Sequence, residues 1–210
     1  CSKIYRDINY VGDGEEYHNL DIYIPKKEGV DKFPVVVHIY GSAWFSNSSK
    51  GMADINTICA ALLAEALGPG RVIGVQMPNG IQKDFADSDK VFDTLGIHKK
   101  TVNIAAAYEG LTKEVLQDYE EKDLPSLYTT NTPARLRMVT LYGIAAFYSC
   151  FVCNTCNRSE DYVGYSTKYG DAAGDFTLLN GLTKTEVVEL GDYMKLPSDL
   201  VHKTPSDGIR

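Results

Sequence analysis

Short β-branched runs alternate with segments of helical period along most of this chain, and no other feature narrows its fold as far. Leu20-Asp-Ile-Tyr-Ile-Pro25 alternates apolar and polar residues, as a half-exposed strand does. Phe33 to Tyr40 is a compact apolar run that reads as a buried strand. After a Ser/Asn/Gly loop over Gly41–Gly51, Asp54 is placed to cap a helix whose apolar residues Ile55, Ile58, Leu62, Leu63 and Leu67 recur at helical spacing. Gly68-Pro69-Gly70 ends that helix, and Arg71–Gln76 reads as the next strand. The alternation continues with a helix over 84–95, a strand over 101–104, a helix over 107–119, a polar connection over 120–130, a helix over 133–148, a strand over 150–155 and a helix over 183–194. Pro133 stands at the first turn of its helix in this reading, where a missing N–H does no harm. Repeated strand–helix–strand units imply right-handed crossovers and an α/β fold: a parallel sheet with helices on both faces. Ligands of such sheets gather at the carboxyl ends of the strands.

At 210 residues, one domain is the default. The net charge of −7 argues against a general grip on nucleic acid, which needs a basic stripe. No run approaches 18 apolar residues, so no membrane span is expected. The five cysteines (Cys1, Cys59, Cys150, Cys153 and Cys156) have no framework spacing, which suits a reducing compartment and points to the cytoplasm. Cys150-x-x-Cys153-x-x-Cys156 invites an iron–sulfur reading, but the run lies in or beside a strand drawn over Phe147–Thr155, and no fourth ligand follows. Buried thiols are the expectation. Cys1 stands where a methionine would begin a chain, which is expected of a processed chain or a fragment.

The region from Asn154 to Glu186 has a different character. Polar, charged and glycine residues crowd together in Asn154-Thr-Cys-Asn-Arg-Ser-Glu160, Tyr165-Ser-Thr-Lys-Tyr-Gly-Asp171, Gly174-Asp-Phe176 and Gly181-Leu-Thr-Lys-Thr-Glu186, with little regular period. Such a stretch builds a site on a loop rather than a core. Two more blocks stand out: Asn131-Thr-Pro-Ala-Arg-Leu-Arg-Met138, with Tyr142 beyond it, and Met77-Pro-Asn-Gly-Ile-Gln-Lys-Asp84 after a strand. Together, in this order over about residues 64–209, the three blocks resemble the ammonia-dependent NAD synthetases of the ATP-pyrophosphatase group. The resemblance sharpens the expected fold to a Rossmann-like sheet.

The first quarter of the chain departs from that family. NAD synthetases hold the ATP pyrophosphate with an S-G-G-x-D-S loop after the first strand, and this sequence contains no such motif. It reads Tyr40-Gly-Ser-Ala-Trp-Phe-Ser-Asn-Ser-Ser-Lys-Gly51 there. Residues 3–63 resemble instead the start of α/β-hydrolase esterases, on Ile4–Ile8, Leu20–Pro25 and Val35-Val-Val-His-Ile-Tyr-Gly-Ser-Ala-Trp44. The G-x-S-x-G nucleophile elbow of those enzymes is nowhere in the sequence; the nearest string, Gly164-Tyr-Ser-Thr-Lys168, belongs to the synthetase motif. The expectation is a chimera joined near Leu62–Glu65: an esterase-like strand, loop and helix over 1–63 packed into the same sheet as a synthetase-like body over 64–210. The Lys203–Arg210 turn matches the family's closing pattern, which runs on past that point, so the resemblance implies a body shortened at its C-terminus.

The resemblance implies an ATP-dependent ligase that amidates deamido-NAD with ammonia through an acyl-adenylate, impaired here by the missing pyrophosphate loop. A nucleotide-binding remnant without turnover is the alternative, and an esterase fragment a weaker one. By motif position, the resemblance makes Glu160 a Mg2+ ligand, Thr155, Lys184, Ser206 and Gln82 ATP contacts, and Arg135, Lys168 and Asp175 deamido-NAD contacts. It gives Asp171 and Lys168 catalytic parts, Asp171 by ordering its loop or acting near the amide. It also implies a homodimer. The residues themselves speak for anion binding at two points: Lys184 in a helix first turn, and Arg135 and Arg137 just after Pro133, are unfavourable places for a cation unless an anion is near.

Overall fold

The computed structural model describes residues 3–9, 19–24, 35–38, 55–81, 85–117 and 124–202. They fall in two compact units, Cys1–Lys32 and Phe33–Arg210. The first contains an antiparallel pair, β1 (Lys3–Asn9) and β2 (Asn19–Ile24), with an irregularity between Tyr5 and Ile8.

The second unit contains a five-stranded sheet whose paired strands all run parallel. Its elements in chain order are β3 (Val35–His38), α1 (Ile55–Leu67), β4 (Val72–Gln76), α2 (Phe85–Leu95), β5 (His98–Thr101), α3 (Ala105–Val115), α4 (Ser126–Tyr148), β6 (Phe151–Asn154), α5 (Arg158–Val163), β7 (Phe176–Thr177), α6 (Lys184–Tyr193) and α7 (Ser198–Val201). The strand order is β5-β4-β3-β6-β7. The chain therefore winds outward from β3 to β4 and β5, then crosses back to place β6 on the other side of β3. The expected α/β Rossmann-like parallel sheet is what forms.

Successive strand residues point to opposite faces, so each central strand feeds two cores. Cys153 of β6 and Val72 of β4 pack with Ile58, Cys59 and Leu63 of α1, Val91 and Phe92 of α2, Val187 of α6 and Leu200 of α7. Val152 and Val75, from the same two strands, pack with Met138, Leu141, Ile144 and Ala145 of α4. Helices thus cover both faces.

Three elements differ from the sequence reading. The helix placed over 133–148 begins at Ser126, so Pro133 lies inside α4 rather than at its first turn. The proline at the helix start is Pro125, whose carbonyl accepts from the Tyr128 N–H at 2.8 Å. Tertiary packing carries the extra turns: the Tyr128 ring lies 6.2 Å from that of Tyr108, and its hydroxyl donates to Thr112 Oγ1 at 3.1 Å. That packing offsets the interior proline, which lacks an N–H and costs about 3 kcal/mol in an isolated helix. Arg135 and Arg137 accordingly sit in mid-helix, and the argument from a positive helix end does not apply to them. The strand placed at 101–104 is His98–Thr101 instead. It is an edge strand on which Lys99 and Lys100 discourage further pairing. The apolar residues beyond it serve the loop: Ile104 is buried in the second core, and its N–H donates to Pro78 O at 2.8 Å. The strand drawn over Phe147–Thr155 is shorter, because Phe147 and Tyr148 close α4 and Ser149 caps it in the left-handed region at φ 56°.

The cysteine run resolves into thiols. Cys150 packs against the α4 face of the sheet and Cys153 against the α1 face, so they cannot share a cluster. Among the described residues, no group of three His, Cys, Asp or Glu side chains could hold a metal ion. Cys59 of α1 and Cys153 of β6 bring their Sγ atoms to 3.5 Å, both buried and unbridged. Contact with Cys59 and burial push the Cys153 thiol far above its ordinary value. No helix among the described residues is long and apolar enough to cross a membrane.

Candidate functional site

The winding direction reverses between β3 and β6, and open parallel sheets bind ligands just beyond the carboxyl ends of the strands at such a point. Beyond the end of β6 the chain runs straight into the polar region singled out from sequence. Read there as a loop without regular period, it contains α5, β7 and the start of α6. Two capping boxes build the helices. Asn157 Oδ1 accepts from the Ser159 and Glu160 amides at 2.9 and 3.1 Å, while Glu160 Oε2 accepts from the Asn157 amide at 2.9 Å and from its Nδ2 at 2.7 Å. Thr183 and Glu186 repeat the arrangement at α6. The two helix starts are tied together: the Arg158 amide donates to Leu182 O at 2.8 Å, and the Lys184 amide to Ser159 Oγ at 3.2 Å.

Glu160, Asp171 and Lys184 interact electrostatically in this corner. Burial raises the Glu160 carboxyl above its ordinary range; the Asn157 amide and Lys184 oppose the rise, and Asp171 adds to it. Burial also raises Asp171, against hydrogen bonds from Thr167 and the charge of Arg137. Burial lowers Lys184, against Glu160. The Cys156 thiol, buried beside Glu160, Asp171 and Asp161, is pushed up to about 12. Burial thus favours the neutral form of both half-buried carboxyls, and a cation placed near them would oppose that.

The turn bearing Lys168 and Asp171 is held from three sides. The Thr167 amide donates to Asp171 Oδ1 at 2.9 Å, and Thr167 Oγ1 donates to Asn131 Oδ1 of α4 at 3.0 Å. Arg135 Nε, also on α4, donates to Lys168 O at 3.1 Å. Asn154 Nδ2, at the end of β6, donates to Asp171 O at 2.8 Å and Ala173 O at 3.1 Å. Lys168 is exposed, its ammonium 4.9 Å from the centre of the Tyr169 ring. A Cβ on Gly174 would stand 2.6 Å from Asn154 Cβ, so only glycine lets this turn approach the strand so closely.

Of the residues selected from sequence, Glu160, Asp171 and Lys184 share one corner, and Thr155 sits half-buried at the end of β6 beside it. Arg135 reaches the backbone of Lys168. Asp175 faces the scaffold: its Oδ2 accepts from the Val152 amide at 2.7 Å and its Oδ1 from the Tyr142 hydroxyl at 3.3 Å. Gln82 and Ser206 lie outside the described residues. The residues that hold this site and were not selected are Asn131, Asn154, Asn157 and Thr167. Only Asn157 left a signal, in the Asn157-x-x-Glu160 spacing of a capping box. Arg137, read with Arg135 as speaking for a nearby anion, donates from Nε to Met77 O at 2.9 Å and so links α4 to the turn after β4.

The model of the family described as NAD synthase matches residues 51–210. The chain belongs to the NAD synthase family. A second family model, described as BD-FAE, matches residues 20–67. The NH(3)-dependent NAD(+) synthetase of Thermococcus sibiricus is 35% identical over 162 residues, which are 76% of this chain and 60% of that protein. The chain thus spans about 60% of the length of the curated relatives it first matches. Among solved structures, the NMN synthetase of Francisella tularensis superposes with a TM-score of 0.67 at 30% identity, covering 83% of this chain and 67% of that one. The NH3-dependent NAD synthetase of Campylobacter jejuni, in complex with nitrate, gives 0.68 at 26% identity, covering 80% and 66%.

Proposed function

We propose that the chain is an NAD synthetase-like ligase that amidates deamido-NAD with ammonia at the expense of ATP. The observation that carries the reading is the gathering of Glu160, Asp171 and Lys184 at the carboxyl end of β6, beside the strand-order reversal, in a chain of the NAD synthase family. A carboxylate is a poor electrophile. Its attack on the ATP α-phosphorus releases pyrophosphate and leaves an acyl-adenylate, from which ammonia displaces AMP. Lys184 holds phosphate charge, with Thr155 beside it. Magnesium suits the site, because it is commonly held by one or two carboxylates together with substrate phosphates. Glu160, with Asp171 close by, would be the carboxylate for it, and the ion would offset phosphate charge. Arg135 sets the backbone of Lys168, whose exposed ammonium is free to meet the dinucleotide. Asp171 orders the turn through Thr167, and Asp175 fastens that turn to β6. Gln82 and Ser206 complete the ATP contacts.

The absence of an S-G-G-x-D-S sequence favours a slow enzyme, or one that binds without turnover. We further assign the chain to two families joined near Leu62–Glu65, the first part being of the BD-FAE kind. Homodimerisation is supported by apolar residues exposed on α4, where Leu127, Val139 and Phe147 are 72%, 69% and 81% exposed. The free thiols suit the cytoplasm. The test is NAD formation from deamido-NAD, ammonium and Mg-ATP, with Lys168→Ala as control. Product lost in the variant supports the ligase. Deamido-NAD binding without product makes the chain a nucleotide-binding remnant. Amidation of the acid counterpart of NMN instead would align it with the Francisella protein.

A further inference from the structure

We propose that Asn154 is a positioning residue that locks the substrate-facing turn over Thr167–Asp175 to the start of α5, and so sets the binding of the dinucleotide; the second half of this rests on the ligase reading above. Asn154 is the last residue of β6 and only 9% exposed. All three polar valences of its carboxamide in use are directed at backbone. Nδ2 donates to Asp171 O at 2.8 Å and to Ala173 O at 3.1 Å, and Oδ1 accepts from the Cys156 amide at 2.8 Å. The first two bonds fix the turn that presents Lys168 and Asp171. The third fixes the residue just before the Asn157–Glu160 capping box. One side chain therefore spans the two halves of the site, the half assigned to the dinucleotide and the half assigned to Mg-ATP.

The chemistry of the position is specific. Only a primary amide supplies two donors on one atom and an acceptor on the other at this length. An aspartate of the same shape keeps the bond to the Cys156 amide but turns a carboxylate oxygen toward two carbonyl oxygens. A serine keeps one polar atom and loses the reach to both carbonyls. The backbone of Asn154 is engaged separately, paired with Thr177 of β7, so these substitutions leave the strand intact. The close seat of Gly174 on Asn154 brings the two carbonyls within reach, and no larger residue at 174 would allow it.

The experiment compares the full chain with Asn154→Asp and Asn154→Ser by amide hydrogen exchange and by calorimetric titration with deamido-NAD and, separately, Mg-ATP. The clamp predicts that exchange over residues 167–175 rises at least tenfold in both variants, while β4 and α4 keep their protection. It also predicts that the Kd for deamido-NAD rises at least tenfold, and by more than that for Mg-ATP. Unchanged exchange in the turn would overturn the clamp whatever the ligands do. Loosening of the turn with equal losses of both ligands would reduce Asn154 to general structural support and overturn its positioning role. Should Asn154→Asp fail to fold, Asn154→Ser decides by the same criteria. If the unaltered chain binds no deamido-NAD, the ligase reading fails, and exchange alone still decides whether the clamp exists.

Discussion

Gly174→Ala isolates the contact between the site and its scaffold. The new methyl would stand 2.6 Å from Asn154 Cβ, 2.8 Å from its N and 3.0 Å from its Cα. Two of these atoms are backbone of β6, which is held by β3 on one side and β7 on the other, so the strand cannot withdraw. The turn must lift instead. Lifting strains the bonds from the Asp175 amide to Val152 O at 2.8 Å, from the Val152 amide to Asp175 Oδ2 at 2.7 Å, and from Asn154 Nδ2 to Ala173 O at 3.1 Å. Overpacking of this kind costs about 1–3 kcal/mol, and each bond lost adds about 0.5–1.5 kcal/mol. Partial loss of the three gives a destabilisation of about 2–3 kcal/mol. At about 2–4 °C per kcal/mol for a chain of this size, Tm falls by roughly 5–10 °C. Thermal unfolding followed by circular dichroism reads it, and hydrogen exchange should show the loss centred on residues 172–176. A variant within about 0.5 kcal/mol of the parent, with that segment still protected, would refute the reasoning.

Three further outcomes are expected. Burial raises Asp171 in the folded chain, so its contribution to stability is fully present below the unfolded value and is lost as pH rises through the folded one. Asp171→Asn, which keeps an acceptor for Thr167, should flatten that part of the stability–pH curve and leave the neutral-pH protein as stable or more so, while ligase activity falls; denaturant titration from pH 4 to 8 reads the first effect. Leu179, fully buried among α1, α2 and α6 residues, should cost about 2–5 kcal/mol as Leu179→Ala in urea unfolding. Val139→Asp on the exposed surface of α4 should turn a dimer into a monomer in sedimentation, with Tm of the monomer little changed; a dimer that persists removes Val139 from its interface.

The strand–helix alternation was legible because the central strands are apolar and the helices follow their own period. The errors fall where tertiary contacts outweigh local signals. Edge strand β5 is His98-Lys-Lys-Thr101, without an apolar pattern, and its neighbours Val102 and Ile104 drew the reading off by three residues. Pro133 drew the start of α4 seven residues too late, because the Tyr128 packing that carries the first turns is not a local feature. In the site, charged residues in family motifs were found from sequence: Glu160, Lys168, Asp171 and Lys184. The amides and hydroxyls that hold them, Asn131, Asn154 and Thr167, reach partners 17 to 36 residues away, and no spacing rule records such distances.

The strand β3 lies between β4 and β6, and pairs with both along nearly its whole length. It falls within the BD-FAE match, while its two neighbours belong to the NAD synthase match. The central strand of the sheet therefore matches one family model and the strands on either side of it match the other. Melting of the second unit should be a single event, because β4 and β6 are joined through β3 and not to each other.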